Sequence, residues 1–142
     1  MAKEQIIDEQ KEKNDVLKAL LDVKQEVKRD VFMKRFGVNF TIKAIDGEVI
    51  DRIENQATYQ VRQGNKRIDK VDQQKFAALL IEKGCLNPSW KEKDLLNKYN
   101  TSDPTEVIKK RLLAGEISNL ASEIMDISGY EEDFQVIEEV KN

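Results

Sequence analysis

Histidine is absent from this chain of 142 residues, cysteine and tryptophan occur once each, proline twice and glycine six times. Each scarcity removes a class of function. Without histidine there is no Cys/His zinc site, no imidazole general base and no His-dependent triad, and Cys85 alone cannot close an internal disulfide. The glycines nowhere form a Gly-x-Gly-x-x-Gly or Walker-type loop, so the common phosphate cradles are missing. No run of about 18 apolar residues exists, which excludes a membrane-spanning helix. The opening Met1-Ala2-Lys3-Glu4-Gln5 leads into mixed charge with no apolar stretch, so secretion is not expected and a cytoplasmic location is. Neither enzymatic activity, a cofactor nor a metal is expected.

What is present is charge, 36% of residues, and enough hydrophobic side chains, 39%, for the core of one ordinary domain. The formal charge of −3 is unevenly spread. Residues 1–30 carry 7 basic and 8 acidic side chains (−1), 31–75 carry 9 and 6 (+3), 76–115 carry 7 and 5 (+2), and 116–142 carry 1 and 8 (−7). A basic middle and an acidic end are therefore hidden in the total.

Residues 1–15 are polar apart from Ala2, Ile6 and Ile7, and fraying or disorder is expected there. Val16, Leu17, Leu20, Leu21, Val23 and Val27 then recur at helical spacing, which predicts a helix over about 9–27. The period next falls to two, and a β-hairpin of 30–36 with 39–45 turning near Gly37 is predicted. A competing reading continues the first helix through Lys34; the β-rich Phe40-Thr41-Ile42 favours the hairpin. Asp46 can cap a helix with Val49, Ile50, Ile53 and Ala57 on one face, ending near Val61 before a basic loop at Arg62 to Lys66. Asp72 can cap a central helix carrying Phe76, Ala77, Leu79, Leu80 and Ile81, with Gly84 as its terminator. A turn at Asn87-Pro88-Ser89-Trp90 leads into a charged helix at 91–99. Asp103-Pro104-Thr105-Glu106 combines a cap, a proline at the first helical position and a glutamate that can reach back. That helix should break at Gly115 and resume to Ser128, with Gly129 as its cap. The expected fold is α+β, a mostly α-helical single domain with one β-hairpin.

Few side chains suggest chemistry. Asp69 with Asp72, and Glu131-Glu132-Asp133, lack the alternating ligand loop of a calcium site and read as solvated carboxylates. Cys85 at a helix C-terminus, with no His to activate it, reads as a buried structural thiol. Arg62, Lys66, Arg67 and Lys70, with Tyr59 nearby, could contact phosphates, but the stretch is short and the chain acidic; a solvated loop is the plainer reading. Lys109-Lys110-Arg111 reads the same way. The candidates for binding a protein partner are the stripe Leu17, Leu20 and Leu21, the turn tryptophan Trp90, and Phe134 with Ile137 among C-terminal acids. Ordinary core packing for the first two groups and disorder for the last are the competing readings.

The order of several motifs is more informative than any one. Lys34-Arg35-Phe36-Gly37 precedes Phe40-Thr41-Ile42-Lys43-Ala44. Gly84-Cys85-Leu86-Asn87-Pro88, the Trp90 to Tyr99 helix, Asp103-Pro104-Thr105-Glu106-Val107, Leu112-Leu113-Ala114-Gly115-Glu116 and Ile127-Ser128-Gly129-Tyr130 follow. Over about 100 residues this series resembles the XkdN-like phage tail assembly chaperones. One departure is Ala114, where proline is expected in many relatives. The resemblance implies a non-enzymatic prophage-type protein of the host cytoplasm that binds and solubilises the tape measure protein during long-tail assembly, with the tail tube protein as a further partner. The chain is expected to divide into a helical arm at 1–29, which lies outside the resemblance and whose role it does not imply, a chaperone-like domain at 30–130 and an acidic tail at 131–142. No membrane or nucleic-acid partner is implied. A structural tail or connector protein, or a small DNA-binding phage regulator, are the alternative functions. The segmental charges would suit weak, salt-sensitive head-to-tail self-association.

Overall fold

The computed structural model describes residues 2–23 and 26–130. The acidic tail, with Phe134 and Ile137, lies outside the described residues. The first helix, α1 (Ala2–Asp22), starts earlier and stops sooner than its apolar spacing suggests. In its polar half Gln10 Nε2 donates to Asn14 Oδ1, one turn on, at 3.4 Å. It cannot run to Val27, because the Val27 carbonyl accepts from Ala44 N–H at 2.8 Å and belongs to the sheet edge.

The hairpin forms as β1 (Lys28–Met33) and β2 (Val38–Lys43), which settles the competing helical reading. Val31 pairs with Phe40 and Met33 with Val38, so Val31, Met33, Phe40 and Ile42 share the buried face. Gly37 closes the turn at φ 68°, a conformation that suits glycine. A short strand, β5 (Cys85–Asn87), joins the other edge of β2.

After α2 (Gly47–Ala57), which buries Ile50, Ile53 and Ala57, the chain does not continue helical to Val61. It forms a second hairpin, β3 (Thr58–Gln63) with β4 (Lys66–Val71), where a basic loop was expected. The two-residue connection Gly64-Asn65, with Gly64 at φ 65°, is strong hairpin chemistry. The α+β class holds, with two small antiparallel sheets in place of one hairpin.

The central helix α3 (Gln73–Gly84) is capped by Asp72, whose Oδ1 accepts from Lys75 N–H at 3.2 Å. It packs on α2 and on the two later helices α5 (Pro104–Arg111) and α6 (Ala114–Ile127), and Leu80 and Ile81 are fully buried. Gly84 is not the left-handed terminator expected. It is the last helical residue, and a Cβ there would lie 2.9 Å from Ile124 Cγ2 and 3.0 Å from Ile45 Cδ1. Glycine is needed for close approach, not for backbone freedom.

Beyond α4 (Lys93–Lys98), α5 (Pro104–Arg111) begins as the motif indicates: Asp103 Oδ1 accepts from Thr105 N–H at 3.0 Å and from its hydroxyl at 2.8 Å. Glu106 does not reach back; the Asp103 N–H donates instead to Thr101 Oγ1 at 3.1 Å. The following break falls at Leu112 and Leu113, and Gly115 sits inside the first turn of α6 (Ala114–Ile127). Ala114 is thus at the first helical position, where a proline would be tolerated. Gly129, at φ 90°, ends α6 as expected: Tyr130 N–H donates to Met125 O and Gly129 N–H to Asp126 O, the paired bonds of a Schellman ending.

Candidate partner-binding surfaces

Charged side chains lock the first sheet onto α6. Arg29 Nη1 donates to Glu123 at 2.7 Å and Asp126 at 2.8 Å, and both carboxylates keep the guanidinium charged. Arg35, in the β1–β2 turn, grips Glu116 with both Nε and Nη2, the latter at 2.7 Å, while Nη2 also donates to Arg111 O. Glu116 Oε1 accepts from Leu113 N–H at 2.8 Å as well. Arg35, then this backbone donor, hold the Glu116 carboxyl below its ordinary range.

One carboxylate therefore caps α6 and anchors the turn. Glu116→Ala should cost about 2 kcal/mol, the sum of a cap and a partly exposed bidentate pair. Glu116→Gln, which keeps a capping oxygen, should cost less. Because folding lowers the carboxyl pKa, the charge-dependent part is fully present above the unfolded value, about 4.3. It disappears as pH falls through the folded value, so the gap between wild type and Glu116→Gln in urea midpoints should shrink on acidification. A gap that stays constant down to roughly pH 2 would show that Glu116 acts only by packing.

Trp90 is not an exposed contact. It is 3% exposed, packs edge-on against Phe40 with centroids 6.0 Å apart, and continues a stack of Phe40 on Phe36 that Arg35 and Arg111 cover. The turn after Pro88 directs the indole inward, to a core position and not an exposed one. Cys85 is buried as expected, and burial pushes its thiol up to about 11, offset in part by Trp90 and the Asn87 backbone. It remains protonated and unreactive near neutrality.

Leu17, Leu20 and Leu21 behave in the opposite way. They are 55%, 77% and 74% exposed, and Ile6 and Ile7 on the same helix are equally open. Among the described residues, no side chain of the folded core covers them. A second apolar feature, not singled out by sequence, is a shallow groove of about 380 Å³ between α3 and α6, floored by Phe76, Ala77, Ile117, Ala121 and Met125. Apart from the buried Ala121 its residues are half-buried, and they lie on two separate helices, so only the spatial pairing of α3 with α6 makes them a surface.

The third feature is the β3–β4 hairpin. Arg62 stands directly opposite Arg67 and Lys70 opposite Tyr59, all exposed. None of Arg62, Lys66, Arg67 and Lys70 forms an ion pair among the described residues. No group of His, Cys, Asp or Glu among the described residues could hold a metal, and none of the described helices is long and apolar enough to cross a membrane.

Residues 15–141 match the family model described as "Phage XkdN-like tail assembly chaperone protein, TAC". The chain is 34% identical over 114 residues to "Phage-like element PBSX protein XkdN" of Bacillus subtilis (strain 168), covering 79% of this chain and 77% of that protein. It is 36% identical over 104 residues to the uncharacterized protein YqbN of the same organism, covering 72% and 70%. The crystal structure of YqbN superposes with a TM-score of 0.58 at 28% identity, over 77% of this chain and 90% of that one.

Proposed function

Because the chain belongs to the XkdN-like phage tail assembly chaperones, a non-enzymatic family, we propose that it binds and solubilises the tape measure protein in the host cytoplasm while a long tail is assembled. The observation that carries this reading is the uncovered aliphatic stripe of α1. A protein with a long apolar helical client needs apolar surface that its own core does not consume, set among charges that keep the complex in solution. Leu17, Leu20 and Leu21 supply it on a helix whose other faces carry lysine, aspartate and glutamate. The α3–α6 groove gives a second place for a helix to lie, and the tail tube protein is a further candidate partner.

Co-expression with the tape measure protein of the same gene cluster tests the reading. The chaperone should raise the soluble fraction of that protein severalfold and co-purify with it, and Leu17→Asp combined with Leu21→Asp should abolish both effects. No co-purification with the wild-type chain would remove the proposal. A chain that remained in purified particles would instead be a structural tail component.

A further inference from the structure

The stripe on α1 also has a pattern along its length. Ile7, Gln10, Asn14, Leu17 and Leu21 follow one another at alternating spacings of three and four, the seam of a short coiled coil. Over Ile7, Gln10, Asn14 and Leu17 its order is apolar, polar, polar, apolar, the same from either end, with Leu21 one step beyond. We infer that, without its client, the α1 stripe is covered by α1 of a second copy packed antiparallel, so that dimerisation keeps the client face closed.

This inference rests on the stripe being the client face, and the geometry of the pairing comes from the residues themselves. With the two helices crossing near Glu12, Ile7 meets Leu17 of the second copy and Gln10 meets Asn14 of the second copy. Just outside the seam, Ile6 meets Leu20 of the second copy. All four aliphatic side chains are more than half exposed in the single chain. Gln10 and Asn14 already share one hydrogen bond within the helix, and each amide retains polar atoms for its counterpart across the pair. A parallel pair fits worse in one respect: Ile6 would face Lys11 of the second copy, whereas the antiparallel pair sets it against an aliphatic side chain. It would also bring the two folded domains to the same end of the helices, whereas the antiparallel pair sends them to opposite ends. Ile6, Ile7, Gln10 and Asn14 lie N-terminal to the family match, which begins at residue 15, so half of this seam is additional to the shared domain.

The antiparallel pair sets Lys11 against Lys11 and Lys13 against Lys13 across the two-fold axis. Salt should therefore strengthen it, by screening that repulsion and favouring apolar burial. Head-to-tail association between basic and acidic segments would respond in the opposite direction.

Sedimentation equilibrium of the full chain between roughly 10 and 500 micromolar should show the mass rising from 16.4 kDa towards twice that value, more completely in 1 M than in 0.05 M salt. Ile7→Asp and Leu17→Asp should each remain at 16.4 kDa throughout, with the wild-type unfolding transition of the domain retained. On oxidation, a mixture of Gln10→Cys and Asn14→Cys chains should form covalent dimers about tenfold faster than either chain alone. A monomeric wild type, a dimer that survives Leu17→Asp, a dimer dissolved by salt, or fast cross-linking of Asn14→Cys alone would each overturn the inference. A monomeric chain that still solubilises the tape measure protein refutes the closed dimer and leaves the proposed function standing. A salt-strengthened dimer with no affinity for that protein does the reverse.

Discussion

Trp90→Ala should unfold the domain's aromatic centre and cost about 3–5 kcal/mol, the usual range for removing a large buried ring. On a domain of roughly 100 residues this lowers the thermal midpoint by about 15 °C or more. The loss follows from three contacts made at once: the edge-on packing on Phe40, the stack of Phe40 on Phe36, and the cover over Cys85 next to it. Trp90→Phe should cost far less. The buried indole Nε1 makes no hydrogen bond of good geometry and has the weak acceptor Cys85 beside it, so phenylalanine forfeits little polar contact there while leaving some volume unfilled. Calorimetry of the two variants checks this. If Trp90→Ala instead left the midpoint within a few degrees and only weakened partner binding, the side chain would be a contact residue and its burial would be misread.

Gly84→Ala is the second large effect. A Cβ at this position meets Ile124 and Ile45 at 2.9–3.0 Å, closer than real side chains approach. α3 and α6 must then separate, or Ile124 must leave its position in a fully buried layer. Overpacking of this kind costs about 1–3 kcal/mol, even though alanine gains about 1 kcal/mol of helix propensity over glycine. Gly84→Val should be worse. Ile124→Ala is destabilising alone, because it opens a cavity, but combined with Gly84→Ala it should recover at least about 1 kcal/mol relative to the sum of the two. Strict additivity in a urea-denaturation cycle would show that the two residues do not compete for the same space.

Much of the domain is legible from the chain alone, where a local signal and a tertiary role coincide. Asp72, Asp103 and Gly129 act as caps because side-chain or backbone groups within a few residues satisfy helix ends. The first hairpin is readable because one face is buried, so Val31, Met33, Phe40 and Ile42 must alternate with polar neighbours. The second hairpin is exposed almost throughout, so burial imposes no alternation, and its charged residues mimic a loop. Only Gly64-Asn65 between Tyr59-x-Val61 and Ile68 could have shown it. Gly84 illustrates a different limit. Its neighbours in space, Ile45 and Ile124, are each about 40 residues away, and no local pattern reports a contact of that range.

For the candidate surface the division is sharper. The helical spacing of Leu17, Leu20 and Leu21 is a property of the sequence, whereas their exposure among the described residues is a property of how the core is assembled. Trp90 shows the converse. A tryptophan beside a proline turn suggests an exposed anchor, and only the assembled core, with Phe40 set edge-on against the indole, shows that it is enclosed.

The β3–β4 hairpin has a consequence for how the protein behaves in a crowded assembly reaction. A two-stranded sheet offers two open edges, and open edges recruit other strands, including those of identical copies. Here the edges bear Arg62, Lys66, Arg67 and Lys70, with two arginines facing each other across the strands. A second hairpin of the same charge approaching either edge is repelled before backbone hydrogen bonds can form. The hairpin thereby presents an extended two-stranded sheet without becoming a template for fibres.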